Sequence, residues 1–266
     1  MLTDTHNHTC HFSPDAESTI DDIFAKATAG HLDVIALTEH YEYDNPDPND
    51  NIQTFDLDKY TAEFAAWKKR CPSSLELLMG IEFGYQTHTA GAIDELASKA
   101  PFDTVVLSNH LFRGIDVYFS DVVYRLPVAE RHAEYMEKMT EMVTNCNNFD
   151  VAAHYDYVNK RNPDLTVNML YEDCPREFDR FFEVLIAKEK ALEINTATSA
   201  RRQSLPDPRI IERYIQMGGR LITVSSDSHV PANIGCMIPE ITEFLKSLGV
   251  KELCYFKARQ PQTYGI

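Results

Sequence analysis

The strongest constraint on the fold of this chain is the regular recurrence of short apolar segments between longer amphipathic ones. Most of the short segments are apolar at consecutive positions, which is typical of strands buried on both faces of a parallel sheet. The predicted strands cover residues 33–38, 75–83, 103–108, 149–154, 190–195 and 220–226, and residues 2–9 and 252–256 could add two more.

The amphipathic segments between these strands predict helices. Ser18 or Thr19 can cap the first helix, and Gly218 with Gly219 can end the last one. Because strands that alternate with helices form βα units, the pattern indicates an α/β protein with a parallel sheet. The predicted helices cover residues 18–30, 56–70, 127–146, 175–190 and 206–219.

The length of 266 residues suits a single α/β barrel, which typically needs ~250 residues. Two polar stretches, residues 43–53 and 114–121, predict loops within a domain and do not resemble linkers between domains. We therefore expect residues 1–266 to form one domain.

The composition of the chain argues against some classes of binding partner and cellular location. The formal net charge of −16 argues against a nucleic-acid or membrane-surface binder, since both functions need basic patches. The six cysteines are scattered without a C-x-x-C pair, which indicates reduced thiols and a cytoplasmic location. No signal peptide and no apolar stretch of membrane-spanning length is evident.

Residues that can bind metal ions stand at the carboxyl end of nearly every predicted strand. In a βα barrel these strand ends converge on one face, where active sites form. Imidazole and carboxylate groups are usual ligands for zinc, manganese and iron, and a set this large predicts two or three ions. Closely spaced metals favour hydrolysis of a phosphate ester. The candidates are His6, His8, His40, Glu82, His110, His154, Asp227 and His229.

Each of these residues taken alone also has a structural interpretation. His6-x-His8 could mark a strand with two surface histidines, Glu82 could cap a helix, and His40 could be a solvated loop residue. Their coincidence at successive strand ends favours a metal site. Ser225 and Ser226 do not indicate a serine nucleophile, because the chain has no G-x-S-x-G turn.

Seven sequence motifs, in this order, resemble the PHP (polymerase and histidinol phosphatase) family, and the histidinol-phosphatase branch most closely. The resemblance implies a distorted (β/α)7 TIM-like barrel and a metal-dependent phosphoric monoester hydrolase. The motifs are DTHNHTCHFSPDA (4–16), ALTEH (36–40), GIEFGY (80–85), LSNH (107–110), AAHYDYVNK (152–160), LEINT (192–196) and SSDSH (225–229).

The resemblance also implies three metal positions and adds Asp15 to the ligands. One metal would be held by His6, His8, Glu82 and Asp227, a second by Glu82, His110 and His154, and a third by Asp15, His40 and His229. A hydroxide bridging metals at the first group would attack phosphorus.

Other residues are candidates for supporting roles. Arg161, directly after a ligand-bearing strand end, and Arg202 could grip the phosphate, because a guanidinium matches its geometry. Asp156 could orient a ligand histidine from behind the metal site.

The branch implies hydrolysis of L-histidinol phosphate to L-histidinol and phosphate, a step of histidine biosynthesis. A PHP phosphoesterase acting on another small ester, such as a sugar phosphate or a nucleotide, would share every ligand. An amidohydrolase-like enzyme would cleave C–N or C–O bonds instead, and a non-catalytic binding module would hold metal without turnover.

Overall fold

A computed structural model describes residues 1–47 and 52–266 of the chain. In these residues it contains eleven strands, most of them short. They are β1 (Thr3–Asp4), β2 (Val34–Glu42), β3 (Glu76–Gly84), β4 (Thr104–Ser108), β5 (Leu111–Phe112), β6 (Ile115–Asp116), β7 (Val151–Ala152), β8 (Ala191–Asn195), β9 (Ile222–Ser225), β10 (Glu252–Lys257) and β11 (Gln260–Gly265).

Eight α-helices within the same residues connect or flank the strands. A 3₁₀ turn, Tyr157–Asn159, follows β7. The helices are α1 (Ile20–Ala29), α2 (Leu57–Arg70), α3 (Ala90–Leu96), α4 (Val128–Asn145), α5 (Pro175–Ala187), α6 (Thr196–Arg202), α7 (Pro208–Gln216) and α8 (Ile238–Ser247).

Seven parallel strands form the central sheet in the order β1-β2-β3-β4-β7-β8-β9. The two edge strands approach each other, and Asn7, just after β1, makes a parallel bridge to Ser228, just after β9. The Asp4 carboxylate strengthens this seam by accepting from the backbone N–H of Ser226 at 2.8 Å. The sheet is therefore a nearly closed barrel flanked by helices, which confirms the predicted distorted (β/α)7 fold.

Alternate side chains of β2 pack on opposite faces of the sheet, one against the helices and one inside the barrel. Ile35 and Leu37 lie in the large core shared with the helices, whereas Val34 and Ala36 belong to a separate small cluster inside the barrel. Because side chains on a strand repeat their direction every two residues, the row of Val34 and Ala36 continues to His40. Strand alternation thus directs this histidine to the inside of the barrel at its carboxyl end.

The antiparallel hairpin of β10 and β11 covers the opposite end of the barrel. Cys254 and Phe256 of β10 are buried and pack against Val106, Val151 and Ala191 of the barrel strands. The barrel therefore has a closed apolar floor at one end and a polar face, which carries the candidate metal ligands, at the other.

The predicted strands and helices are confirmed within a few residues, including the two strands at the chain's ends. The sequence pattern missed the hairpin of β5 and β6, strand β11, and helices α3, α6 and α8. Part of the predicted loop at 43–53, residues 48–51, lies outside the described residues. No helix in the described part of the chain has the length and apolarity to cross a membrane.

Candidate metal centre

Nine side chains able to bind metal ions converge at the carboxyl ends of the barrel strands. The strand register explains part of this, since His40 of β2 lies directly opposite Glu82 of β3. The seam explains another part, because His6 and His8 flank the bridge residue on one side. The full set is His6, His8, Asp15, His40, Glu82, His110, His154, Asp227 and His229.

The first group is built at the seam from four side chains. Nε2 of His6 lies 3.2 Å from Oε2 of Glu82, and Nε2 of His8 lies 3.2 Å from Oδ1 of Asp227. The remaining distances, from His6 to Asp227 and from His8 to Glu82, are 3.7 and 3.5 Å. Asp227 adopts a left-handed φ of 49°, which is uncommon for a residue other than glycine and recurs at functional sites.

The second group uses the other oxygen of the same glutamate. Oε1 of Glu82 lies 3.2 Å from Nε2 of His110 and 3.0 Å from Nε2 of His154. These three atoms lie close enough together to hold one ion. Glu82 is fully buried and therefore stands between two groups of potential ligands, one facing each of its oxygens.

The third group lies nearer to solvent. Oδ2 of Asp15 is 3.0 Å from Nε2 of His229 and 3.6 Å from Nε2 of His40. The two imidazole nitrogens are themselves 3.1 Å apart. The ring of His40 also stacks on the ring of His8 at a centroid distance of 4.0 Å, so this group adjoins the first one.

The donor set fits divalent metal ions. Nε2 of His6 and Oε2 of Glu82 are buried and make no hydrogen bond of good geometry to any described residue, although they lie 3.2 Å from each other and Oε2 lies 2.7 Å from Nδ1 of His40. Buried polar atoms of this kind are rare because leaving them unpaired is costly. Mixed imidazole and carboxylate donors at these separations match zinc, manganese or iron, which would satisfy the unpaired atoms.

Two further carboxylates contact candidate ligand histidines on the side away from the other potential ligands. Nδ1 of His6 lies 2.8 Å from Oε1 of Glu193, and Nδ1 of His110 lies 2.7 Å from Oε1 of Glu42. Glu193 also accepts from the backbone N–H of His154 at 2.8 Å. Such contacts fix the tautomer and orientation of a ligand imidazole. Neither residue was among the sequence predictions; for Glu193 the available signal was a carboxylate inside an otherwise apolar strand, whereas Glu42, at the end of β2, gave none.

The carboxylates and histidines of the site strongly shift one another's pKa values. Burial alone would raise the pKa of Glu82, but the neighbouring His6, His40 and His110 outweigh it and hold that pKa well below its usual value. Burial would lower the pKa of His40, yet Glu82 and Asp15 raise it to about 10. The site is therefore built for positive charge, whether protons or metal ions supply it.

A cavity of about 310 Å³ opens onto the ligands. Lys160 lines it and donates from Nζ to Oδ2 of Asp227 at 2.6 Å. Arg161 and Arg201 line it as well, and the guanidinium of Arg161 stacks on the ring of Tyr118 at 4.6 Å. The cavity thus places three cationic side chains beside the ligand groups in an otherwise acidic protein.

Two sequence predictions about supporting residues are corrected by this geometry. Arg202 does not line the cavity; its guanidinium donates to the backbone oxygens of Asn159 and Asp164 at 2.7 and 3.2 Å. Burial raises the pKa of Asp156 to about 6, with Thr198 opposing this shift, and no hydrogen bond joins its carboxylate to a candidate ligand histidine within the described residues. The expected two-residue alternation from His154 fails because the chain leaves the extended conformation, with φ −104° and ψ 10° at Asp156.

The fold and this arrangement of ligands define a barrel-type metal hydrolase. The sequence profile of the PHP domain matches residues 4–197, and the chain belongs to that family.

Proteins that are similar to this chain over almost its whole length include histidinol-phosphatases. The chain is 27% identical over 261 residues to the histidinol-phosphatase of Lactococcus lactis, covering 95% of this chain and 93% of that protein. It is 26% identical over 258 residues to a probable histidinol-phosphatase of Clostridium acetobutylicum, covering 97% and 98%. The crystal structure of the Lactococcus lactis histidinol phosphate phosphatase, complexed with zinc, L-histidinol and phosphate, matches with a TM-score of 0.85 and 25% identity over 98% of each chain. The predicted resemblance to the histidinol-phosphatase branch is confirmed.

Proposed function

We propose that the protein is a metal-dependent phosphatase that hydrolyses L-histidinol phosphate to L-histidinol and inorganic phosphate. The observation that carries the proposal is the whole-chain match to an enzyme whose structure holds zinc and both of these products. The convergence of nine potential metal ligands beside a cavity with three cationic side chains in its wall supports the same reaction class. This reaction would place the protein in histidine biosynthesis.

The three ligand groups would hold two or three divalent ions. His6, His8, Glu82 and Asp227 would hold the first, Glu82 with His110 and His154 the second, and Asp15 with His40 and His229 the third. When bound, the metals supply Lewis acidity towards the phosphoryl oxygens and activate water at neutral pH. Zinc in the Lactococcus lactis enzyme makes zinc the first ion to test, with manganese and iron as alternatives.

The cationic side chains of the cavity would orient the phosphate. Lys160 stays charged, since Asp227 outweighs the effect of burial and raises the pKa of Lys160. Arg161 offers a planar guanidinium at the cavity wall, and Arg201 takes the role first expected of Arg202. Together these groups would counter the acidic surface that otherwise repels an anionic substrate.

The same cavity would accommodate the leaving group. Tyr118 and Phe119 line it with exposed aromatic rings, and Glu17 adds a carboxylate. An aromatic wall with a negative charge suits a leaving group that carries an imidazole ring and an ammonium group. A sugar phosphate offers neither of these features, which favours histidinol phosphate over that alternative.

The decisive measurement is kcat/KM for L-histidinol phosphate beside a panel of sugar phosphates and nucleotides, on protein loaded with zinc or manganese. We expect a preference of a hundredfold or more, which corresponds to roughly 2.7 kcal/mol of transition-state discrimination. Activity spread evenly over the panel would move the assignment to another small phosphate ester. Metal-loaded protein without phosphatase activity, but active on lactones or amides, would support the amidohydrolase-like alternative.

A reducing compartment such as the cytoplasm fits the chain's cysteines. All six are free in the structure, and Cys146, Cys174 and Cys254 are buried. Burial raises the pKa of each of these three thiols to about 12, so they are poorly reactive.

A further inference from the structure

Three basic or imidazole side chains are buried away from the metal ligands, where the proposed reaction gives them no task. Arg131 and His132 of α4 are 1% and 0% exposed, and Arg202 of α6 is 8% exposed. Burying a charged guanidinium is costly unless hydrogen bonds compensate. A cluster of this kind therefore needs a structural or functional explanation.

All three side chains meet at one residue, Asn159. Nη2 of Arg131 donates to Oδ1 of Asn159 at 3.1 Å, and Nη2 of Arg202 donates to its backbone oxygen at 2.7 Å. Nδ2 of Asn159 lies 2.9 Å from Nε2 of His132. Helices α4 and α6 thus hold the buried residue Asn159 through three contacts, two to its side chain and one to its backbone oxygen.

The hydrogen-bond directions in this cluster are mutually consistent. Nδ1 of His132 lies 2.8 Å from Oδ2 of Asp173 and can donate to it, which leaves Nε2 free to accept from Asn159. Burial is the largest influence on His132 and lowers its pKa, which favours the neutral imidazole that this pattern requires. The side-chain oxygen of Asn159 is then available for Arg131. The amide of Asn159 thus supplies the acceptor that Arg131 needs and the donor that neutral His132 needs.

Asn159 immediately precedes the two cavity cations. Lys160 reaches Asp227, and Arg161 lies on the cavity wall. The backbone N–H of Arg161 donates to the hydroxyl of Tyr124 at 3.2 Å, and the ring of Tyr124 lies 5.4 Å from the guanidinium of Arg131. Both chain neighbours of Lys160 are therefore connected to Arg131: Asn159 directly, and Arg161 through Tyr124.

We propose that Arg131, His132 and Arg202 form a brace that acts through Asn159 to position Lys160 and Arg161 over the metal centre. The inference rests on the proposed function and adds positioning residues to it. The brace residues touch neither a metal ligand nor the cavity, so they would influence phosphate binding without affecting metal binding. A displacement of about 1 Å at such a site can cost on the order of a hundredfold in rate.

The test uses the full-length, zinc-loaded protein and the variant Arg202→Met, which keeps the aliphatic stem but removes the contact to Asn159. We expect kcat/KM for the phosphate ester to fall by about 10–100-fold, with weaker inhibition by inorganic phosphate and unchanged zinc stoichiometry. Arg213→Met is the matched control, since it removes an ion pair to Asp179 between α5 and α7, away from the cavity.

A purely structural role for Arg202 would lower the melting temperature and leave phosphate inhibition of the folded enzyme unchanged, which would overturn the proposal. A double-mutant cycle sharpens the test: in a Lys160→Met, Arg161→Met background, adding Arg202→Met should change kcat/KM by less than twofold. A full additive loss in that background would contradict action through these two residues.

If Arg202→Met fails to fold, His132→Gln provides a second variant with the same expected split between phosphate affinity and zinc content. If the wild-type protein hydrolyses no phosphate ester, the proposed function fails. The brace is then judged by calorimetric binding of inorganic phosphate to the zinc-loaded protein, which Arg202→Met should still weaken by about tenfold.

Discussion

At the scale of single residues, Glu193 shows how a side chain outside the ligand set can control metal binding. Its carboxylate contacts Nδ1 of His6 and the backbone N–H of His154, so it touches two ligand groups. It also accepts from the hydroxyl of Ser225 at 2.5 Å. Four strand ends are therefore tied together by one buried charge.

We expect Glu193→Gln to keep the shape of the site but weaken metal binding by about 10–100-fold, because a neutral amide no longer supports the basicity of His6. Competition with a chromogenic zinc chelator measures this. Glu183→Gln, at an exposed position on α5, is the control and should bind zinc like wild type. Equal zinc affinity in the two variants would contradict the role given to Glu193.

Gly84 offers a second test at this scale. A Cβ atom there would lie 1.8 Å from Oε2 of Glu42, whose other oxygen contacts His110. We expect Gly84→Ala to displace Glu42, lower metal occupancy and reduce kcat at least tenfold, as loss of such a supporting contact does. Gly91→Ala is the control, because a Cβ at Gly91 meets nothing within 4 Å. Full metal content in Gly84→Ala would refute the argument.

The sequence predicts ligands better than their supports, and the reason is physical. His40 follows the predicted apolar strand 33–38 and Glu82 comes at the end of the long apolar run 75–83, so position along the chain reveals them. Glu193 stands within a strand and gives no periodic signal of its own. The error over Arg202 has a similar cause: neighbouring helical residues point about 100° apart, and only the orientation of α6 decides that Arg201 faces the cavity.

At the scale of elements, the β10–β11 hairpin stabilises the barrel from the end opposite the candidate metal centre. We expect Phe256→Ala to reduce the free energy of unfolding by about 3–5 kcal/mol, since it opens a cavity in the barrel floor. Urea denaturation of the zinc-loaded protein measures the loss. Phe256→Leu should cost less than about 1.5 kcal/mol. Similar stabilities for the two variants would show that the floor is loosely packed.

Elements with strong periodic patterns were predictable, and short ones were not. Strand β2 and helix α4 carry long patterns of consecutive or helical apolar residues, and both are confirmed. Helix α6 has the sequence TATSARR, with few apolar residues to mark a face. Its position depends on the preceding strand and on Asn195, whose side chain caps it by accepting from Ala197 at 2.9 Å.

At the scale of the whole molecule, metal binding should determine how stability depends on pH. In metal-free protein, protonated His40 stabilises the folded state because its folded pKa, about 10, exceeds the ordinary 6.5. This contribution is complete below pH 6.5 and is lost as pH rises towards 10. Metals require neutral imidazoles, so their contribution increases over the same range.

We therefore expect the melting temperature of chelated protein to fall between pH 6.5 and 9, while the difference between zinc-loaded and chelated protein widens. Free metal at about 1,000 times its Kd would add about 4 kcal/mol. Thermal unfolding of both forms across this range measures the effect. A gap that narrows as pH rises would contradict the assignment of the histidines as ligands.

The seam between β1 and β9 has a consequence for how the enzyme matures in a cell. It joins His6 and His8 to Asp227 across the Asn7–Ser228 bridge. His8 precedes Asp227 by 219 positions, so a ribosome makes the histidines of this group well before the aspartate that faces them. The four-ligand group can be completed only after residue 227 has left the exit tunnel. This group would therefore form only after synthesis of β9, and a metal bound there would fasten the two edge strands of the barrel to each other.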